Sequence, residues 1–309
     1  MKRPGKTFKL RSLIGMSVCA AAVFLSGCAT APIIKSTRVT PGPEQPTTKP
    51  VKVYPRGQKA PGNCEVVGIV SALPVVRGIM NIRGNNGANR KYMTKEASAM
   101  GADALVQFHA EWETRSDESW STAIAVKTAA EGTAAPACGI PFFVAVPHVL
   151  ISSEVSSGSK QKKNDAIIQT LVQPRLAAKG YYAEVVDEEL PDAFEAGLSA
   201  MEPHDLDRFG GDKFDLILVV RLVKSSGVAT ALVTTHGVGL ELSLYSKSQK
   251  KVVWQSSARG DSVTMFDPGG LVLGITELFD PSYTRAHAVA AALKSAFGSL
   301  PDVSTKTIE

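Results

Sequence analysis

Chemistry in this chain would have to come from a thin set of side chains. Five histidines, His109, His148, His204, His236 and His287, are scattered along 309 residues. None sits in an HExxH pair or a His/Cys spacing of the zinc-binding kind, so no metal and no other cofactor is expected. "EPHDLD" brings His204, Asp205 and Asp207 together. A metal there would need ligands from elsewhere, and Asp205 beside a helix start is explained as a cap meeting the positive end of the helix dipole. Asp165, Glu184, Asp187, Glu188 and Glu189 offer carboxylates for acid–base work, but such a run is also what a solvated loop carries. His148 follows Pro147 in an apolar run, with no partner visible in the sequence. It reads as a satisfied edge or core histidine rather than a base. No G-x-S-x-G elbow occurs, and "SSGSK" (156–160) lacks the spacing of a phosphate-binding loop. No catalytic set assembles, and the chain is expected not to be an enzyme.

The cysteines are more informative. Cys28 ends the stretch "VFLSGCAT" (23–30), behind an apolar run over 13–27 and a basic segment holding Lys2, Arg3, Lys6, Lys9 and Arg11. A basic flank, a short apolar run and small residues at its end form a secretory signal, too short for a stable membrane span. Of the chain's 34 Lys and Arg, five lie in residues 1–27, which hold no acidic residue, leaving 29 against 29 Asp and Glu. The mature chain is formally neutral, which gives no support for a nucleic-acid partner.

Leu25-Ser26-Gly27-Cys28 resembles the lipobox of bacterial lipoproteins. The resemblance implies cleavage before Cys28, acylation of its thiol and of the new amine, and a membrane contact through lipid. Two or more chains anchor stably, at roughly 0.8 kcal/mol per buried CH₂. In that family Ala29 at the following position implies the outer membrane, periplasmic face. With Cys19 removed and Cys28 acylated, Cys64 and Cys138 remain in an oxidising compartment. An even pair there reads as one disulfide, with two buried thiols as the rival. The bridge would close a loop of about 75 residues, for roughly 4 kcal/mol.

The elements that must carry these residues divide the chain. Residues 1–27 are the signal peptide. Residues 28–50 carry the anchor and a Pro/Thr-rich stretch that reads as a disordered tether, reaching up to about 70 Å if extended. A first domain spans 51–128: a strand at 64–72, a helix at 91–100 with Thr94 as its cap and Gly101 as its stop, and a hairpin over 102–127. The simplest hairpin register pairs Trp112 with Trp120 and Phe108 with Ile124. Residues 129–139 are a linker. A second domain spans 140–301, with 302–309 as a tail. It reads β-α-β-α-β-β-β-α: strand 141–151, a helix over 157–180 that Pro174 should kink or break, strand 181–186, a short helix at 203–210, a central strand at 214–223, a hairpin with Val238, Leu240, Leu242 and Leu244 on its inner face, and a closing helix at 283–300. The fold class is α/β (α+β) in two small domains.

The first domain, through "CEVVGIV", "AMGADALV" and "WSTAIAV", resembles the small domain of RcsF-type envelope-stress lipoproteins and YbjQ-like proteins. The RcsF type carries more disulfides than two cysteines allow. The second domain, through "LVQPRLAAKGYY", "FDLILVVRL" and "LYSKSQKKVVWQSSARG", resembles the envelope-lipoprotein domain of the GNA type, of the curli-secretion protein CsgG and of the penicillin-binding-protein activator LpoB. That group implies assembly, secretion or partner activation through protein contacts.

One long segment fits no element. "MFDPGGLVLGITELFDPSY" (265–283) is apolar, glycine-rich and bounded by Asp-Pro pairs. A loop of that length is uncommon unless functional. Leu271, Leu273, Leu278 and Phe279 are its candidate partner-binding residues, with a short packed helix as the rival reading. Together these features describe a lipid-anchored envelope protein acting as a non-catalytic adaptor or assembly component, with an envelope protein partner and a possible homo-oligomer. A regulator of peptidoglycan synthesis is the alternative, and a periplasmic hydrolase a further one.

Overall fold

A computed structural model describes residues 32–40, 46–59, 64–73, 86–113, 118–128, 140–152, 155, 159–187, 206–207, 209–229, 233–265 and 282–308. The fold is mixed α/β, with two sheets and three main helices. The first sheet contains β1 (Ile33–Arg38), β2 (Lys52–Pro55), β3 (Cys64–Leu73), β4 (Ala104–Glu113), β5 (Glu118–Thr128) and β12 (Lys306–Ile308), in the order β12-β1-β3-β5-β4-β2. Helix α1 (Asn86–Ala99) connects β3 to β4. It starts earlier than expected, and Thr94 is an interior residue whose hydroxyl donates to the Lys91 carbonyl at 2.9 Å. Gly101 ends the turn at φ 90°, a conformation costly for residues with a Cβ.

Two end segments are corrected by this sheet. Residues 33–38, read above as part of the tether, form β1, which lies between β3 and β12. The prolines flank the run "IIKSTR" rather than interrupt it, and Ile34 and Thr37 are buried. Residues 306–308, read as part of a tail, form β12, with Ile308 opposite Ile34. Local sequence patterns hide both, because β12 gains its ladder only from a partner at the far end of the chain.

The β4–β5 hairpin is present, in a different register. Glu111 lies opposite Trp120, and Val106 opposite Ile124. Gln107, at φ 53°, stands where the register shifts, so the extra residue of a bulge displaces everything beyond it. β5 is buried on both faces. Ala123 and Ala125 pack with Met93, Ala97 and Met100 under α1, while Ile124 and Val126 face the second sheet.

The second sheet has the order β11-β10-β9-β6-β8, with β7 (Leu150–Ile151) beside β9. Its strands are β6 (Ile140–Val146), β8 (Tyr182–Val185), β9 (Phe214–Ala229), β10 (Val233–Ser246) and β11 (Lys251–Met265). Helices α2 (Ser159–Ala177) and α3 (Ser282–Phe297) cover one face. Pro174 does not break α2, which continues to Ala177 before Gly180 turns the chain at φ 84°. A proline one turn from a helix end forfeits little of the ladder. β9 is the central strand: Leu216, Leu218, Val220 and Leu222 are on the helix side, and Ile217 and Val219 on the other. Val238, Leu240, Leu242 and Leu244 of β10 join the helix-side core as expected.

The two sheets pack against each other, and the expected linker, 129–139, lies outside the described residues. Ile69, Ala104, Val106, Ile124 and Val126 of the first pack with Phe143, Ala145, Tyr182 and Phe214 of the second. Layers therefore run α1, first sheet, second sheet, then α2 and α3. The C-terminal segment ties them together: Val303 N–H donates to the Lys179 carbonyl at 2.9 Å, Thr305 N–H to the Ser36 carbonyl at 2.9 Å, and Lys306 pairs with the buried Glu96 carboxylate at 3.3 Å. Asp302 pairs with Lys35. Deleting 302–309 is expected to cost roughly 3 kcal/mol, from lost backbone bonds and a buried carboxylate left with a hydroxyl alone. Thermal melts should show a fall of about 5–10 °C; an unchanged melt would refute the role given to this segment.

Candidate functional site

The histidine that lacked a partner in the sequence has two in the fold. His148 lies just beyond β6, on the chain between β6 and β7. Its Nδ1 is 2.8 Å from Asp165 Oδ2, on α2, and its Nε2 is 2.9 Å from Asp187 Oδ1, just beyond β8. Asp165 Oδ1 also accepts the Val149 N–H at 2.9 Å, which fixes that carboxylate against the same loop. β6 and β8 are parallel, so the cluster stands at their carboxyl ends, where α/β sheets commonly place their sites.

The electrostatics define what this arrangement does. Both ring nitrogens meet carboxylates, so the imidazolium, with two N–H donors, is the favoured form. The hydrogen bond to Asp187 and then that to Asp165 raise His148 above its ordinary value of 6.5, against a smaller opposing effect of burial. A clasped imidazolium has no lone pair to take a proton or hold a metal. The Asp187 side chain is fully exposed, so the cluster is a surface clasp rather than the floor of a cleft. It holds the β6–β7 chain between α2 and the end of β8.

Such a clasp makes stability depend on pH. The folded pKa lies above the unfolded value, so the stabilisation is fully present below about pH 6.5 and is lost as pH rises through the raised value. His148→Gln should flatten that part of the stability–pH curve, read as urea midpoints between about pH 5.5 and 8.5. Parallel wild-type and variant curves would contradict the clasp.

The remaining chemistry-bearing residues go elsewhere. Glu184, expected among paired carboxylates, accepts from Lys213 at 2.6 Å and lies 3.7 Å from Arg56, which follows β2. Burial pushes its carboxyl up, but the Lys213 hydrogen bond and charge, with Arg56, outweigh it and hold it below its usual range. The trio staples the two sheets together. Asp207 accepts from the Tyr245 hydroxyl at 3.2 Å. His109 stacks edge-on against Trp120, 5.3 Å between ring centres. His236 is buried in β10, 3.4 Å from Ser225 Oγ, and burial with the Arg285 charge lowers its pKa to about 4. Cys64 opens β3, opposite Thr128 at the end of β5, and burial followed by the Asp103 charge raises its thiol pKa.

Cys28, Cys138, Glu188, Glu189, His204, Asp205, Leu271, Leu273, Leu278 and Phe279 lie outside the described residues. Among the described residues, no group of three or more His, Cys, Asp or Glu side chains is placed to hold a metal ion, and no helix is long and apolar enough to cross a membrane. The sequence reading misses the clasp because Asp165 and Asp187 stand 17 and 39 residues from His148. The only signal in the sequence is the position of each residue at the edge of a strand or helix.

No protein-family model and no curated protein matches the chain. Similar solved structures include lipoprotein GNA1162 from Neisseria meningitidis, at 18% identity and TM-score 0.30, over 46% of this chain and 97% of that one. They also include the PelC dodecamer from Paraburkholderia phytofirmans, at 14% identity and TM-score 0.28, over 52% and 92%. The protein CT253 from Chlamydia trachomatis aligns at 8% identity and TM-score 0.32, over 51% and 92%. Likeness at this level carries no functional argument.

Proposed function

We propose that this chain is a lipid-anchored cell-envelope protein that works as a non-catalytic adaptor or assembly component, held close to the membrane surface. The observation that carries the reading is the position of β1. Its first residue, Ile33, stands only five residues beyond Cys28, and β1 is an interior strand of the first sheet. Five residues span at most about 17 Å. An acylated Cys28 would therefore hold the folded body against the bilayer, in place of the long reach a free tether would give. The outer membrane, periplasmic side, is the compartment proposed from Ala29. The Cys64–Cys138 bridge belongs to the same proposal and would tie the segment after β5 to the start of β3.

The interlocked sheets support an adaptor in a second way. β12, the Glu184 staple and the shared apolar cluster make one body of both halves, so a load on one half is carried to the anchor through the other. Crosslinking with mass spectrometry in the intact envelope tests the reading. A protein partner recovered reproducibly with the anchored chain is the expected result. Recovery of none, from a chain that is acylated and folded, would overturn it.

A further inference from the structure

The sheet edges of this protein are unequal. Three of the four are short: β12 has 3 residues, and β2 and β8 have 4 each. The fourth is β11, with 15 residues, paired among the described residues with β10 alone. A long edge presents a row of unpaired N–H and C=O groups, a template for another strand, and proteins commonly blunt such edges with proline, inward charges or brevity. β11 has no proline, and Arg259 and Asp261 lie on one exposed face with Val253, Gln255, Ser257 and Val263; a bulge at Val253 takes Lys251 out of that alternation. The opposite face, through Trp254 and Ala258, packs under α3.

The exposed apolar residues gather here as well. Among the described residues the exposed large hydrophobics are Val228, Val253 and Val263, at 64%, 39% and 57% exposure. Val228 is opposite Thr235, and Thr235 is opposite Val263, so the first and last share one cross-strand row that ends at the bare edge.

We propose that β11 is a self-association edge, on which a second copy of the chain pairs its own β11 antiparallel about a two-fold axis through Ala258. The register follows from the strand itself. Opposite residues in a continuous sheet share a face, so the axis must pass through a residue. A two-fold at Ala258 pairs the stretch from Val253 to Val263 with its copy, beyond the bulge that precedes it. It sets Val253 opposite Val263, Gln255 opposite Asp261 and Ser257 opposite Arg259, with no like charges face to face. The row Val228–Thr235–Val263 then continues into the copy's Val253, and all three exposed valines come together. An axis at Gln255 or at Ser256 would instead leave Val263 with no opposite residue in the copy's β11, and in water. The solvent side of α3 carries Ala291 and Ser295 beside Lys294, with Gly298 just beyond the helix end, small groups that permit the approach of a second α3. Main-chain bonds supply the attraction and the valine row supplies the register.

The paired edge is independent of the lipid anchor and of any other partner. Its test is a disulfide trap in the full-length, detergent-solubilised protein, with Val253→Cys and Val263→Cys alone and combined. The two positions are ten residues apart on one strand, about 33 Å, so a bond between them joins two chains. The double variant, or a mixture of the singles, should give a reducible covalent dimer under mild oxidation, absent from each single variant and from wild type. Sedimentation should show a dimer for wild type and a monomer for Val253→Lys/Val263→Lys with an unchanged circular dichroism spectrum. A monomeric wild type, equal crosslinking by one single variant, or capture of a different protein at these cysteines would overturn the proposal. Each of those results would leave an acylated, membrane-bound adaptor intact.

Discussion

Replacing Cys28 with alanine is expected to free the folded body from the membrane fraction once the signal segment has been removed. Each acyl chain contributes on the order of 10 kcal/mol of membrane binding, at roughly 0.8 kcal/mol per buried CH₂. Under the proposed acylation, removing the acceptor thiol would remove the diacylglyceryl group and block the processing that would expose the new amine. The variant should be recovered with its signal segment uncut, and after removal of that segment it should behave as a soluble protein in carbonate-washed envelope fractions. The folded body should be unaffected, because residue 28 precedes β1. If processed Cys28→Ala protein sediments with membranes as wild type does, the lipid is not what holds it there.

The second large effect is expected at Gly260. A Cβ built there would lie 2.0 Å from the Ala288 carbonyl oxygen and 2.5 Å from the Ala292 nitrogen. Both are backbone atoms of α3, so no rotamer change relieves the overlap. The helix must lift from β11, opening the contacts of Ala288, Ala292 and Ala296, which are completely buried, and the stack of Trp254 on Phe297 at 5.7 Å. Gly260→Val should cost about 3 kcal/mol or more, the upper end of overpacking, read as a lower urea midpoint. Ser295→Ala, on the exposed side of the same helix, should change little. Equal stability of Gly260→Val and wild type would mean that α3 does not sit on this strand as described.

Alanine-rich spacing in α3 makes its close approach to a sheet legible in advance, but not the glycine that receives it. The same division runs through the fold. β3 and β9 announce themselves through the apolar runs at 66–70 and 216–220, and Gly101 and Gly180 mark helix ends at φ 90° and 84°. Gly180 carries a second constraint that no local pattern shows: Thr37 Oγ1 donates to its carbonyl at 2.7 Å, across the two halves of the chain. β1 and β12 are illegible because their signals are short and their shared ladder is non-local. Alternation alone misjudges the β4–β5 register because one residue in the left-handed region, Gln107, shifts a pattern that otherwise looks regular. For the site, the individual residues His148, Asp165 and Asp187 stand out by type, and only the fold brings them together. Their union also decides their chemistry, since two carboxylates on one imidazole make a charged clasp and occupy the atoms a base would need.

The central claim is that Cys28 is the N-terminal, acylated residue of the mature protein. Mass spectrometry of the N-terminal peptide from membrane-extracted protein tests it directly. The account predicts a peptide that begins at Cys28 and carries the added mass of a diacylglyceryl group and an amide-linked acyl chain. A membrane-extracted chain that still carries residues before Cys28, or an unmodified Cys28 thiol, would contradict it.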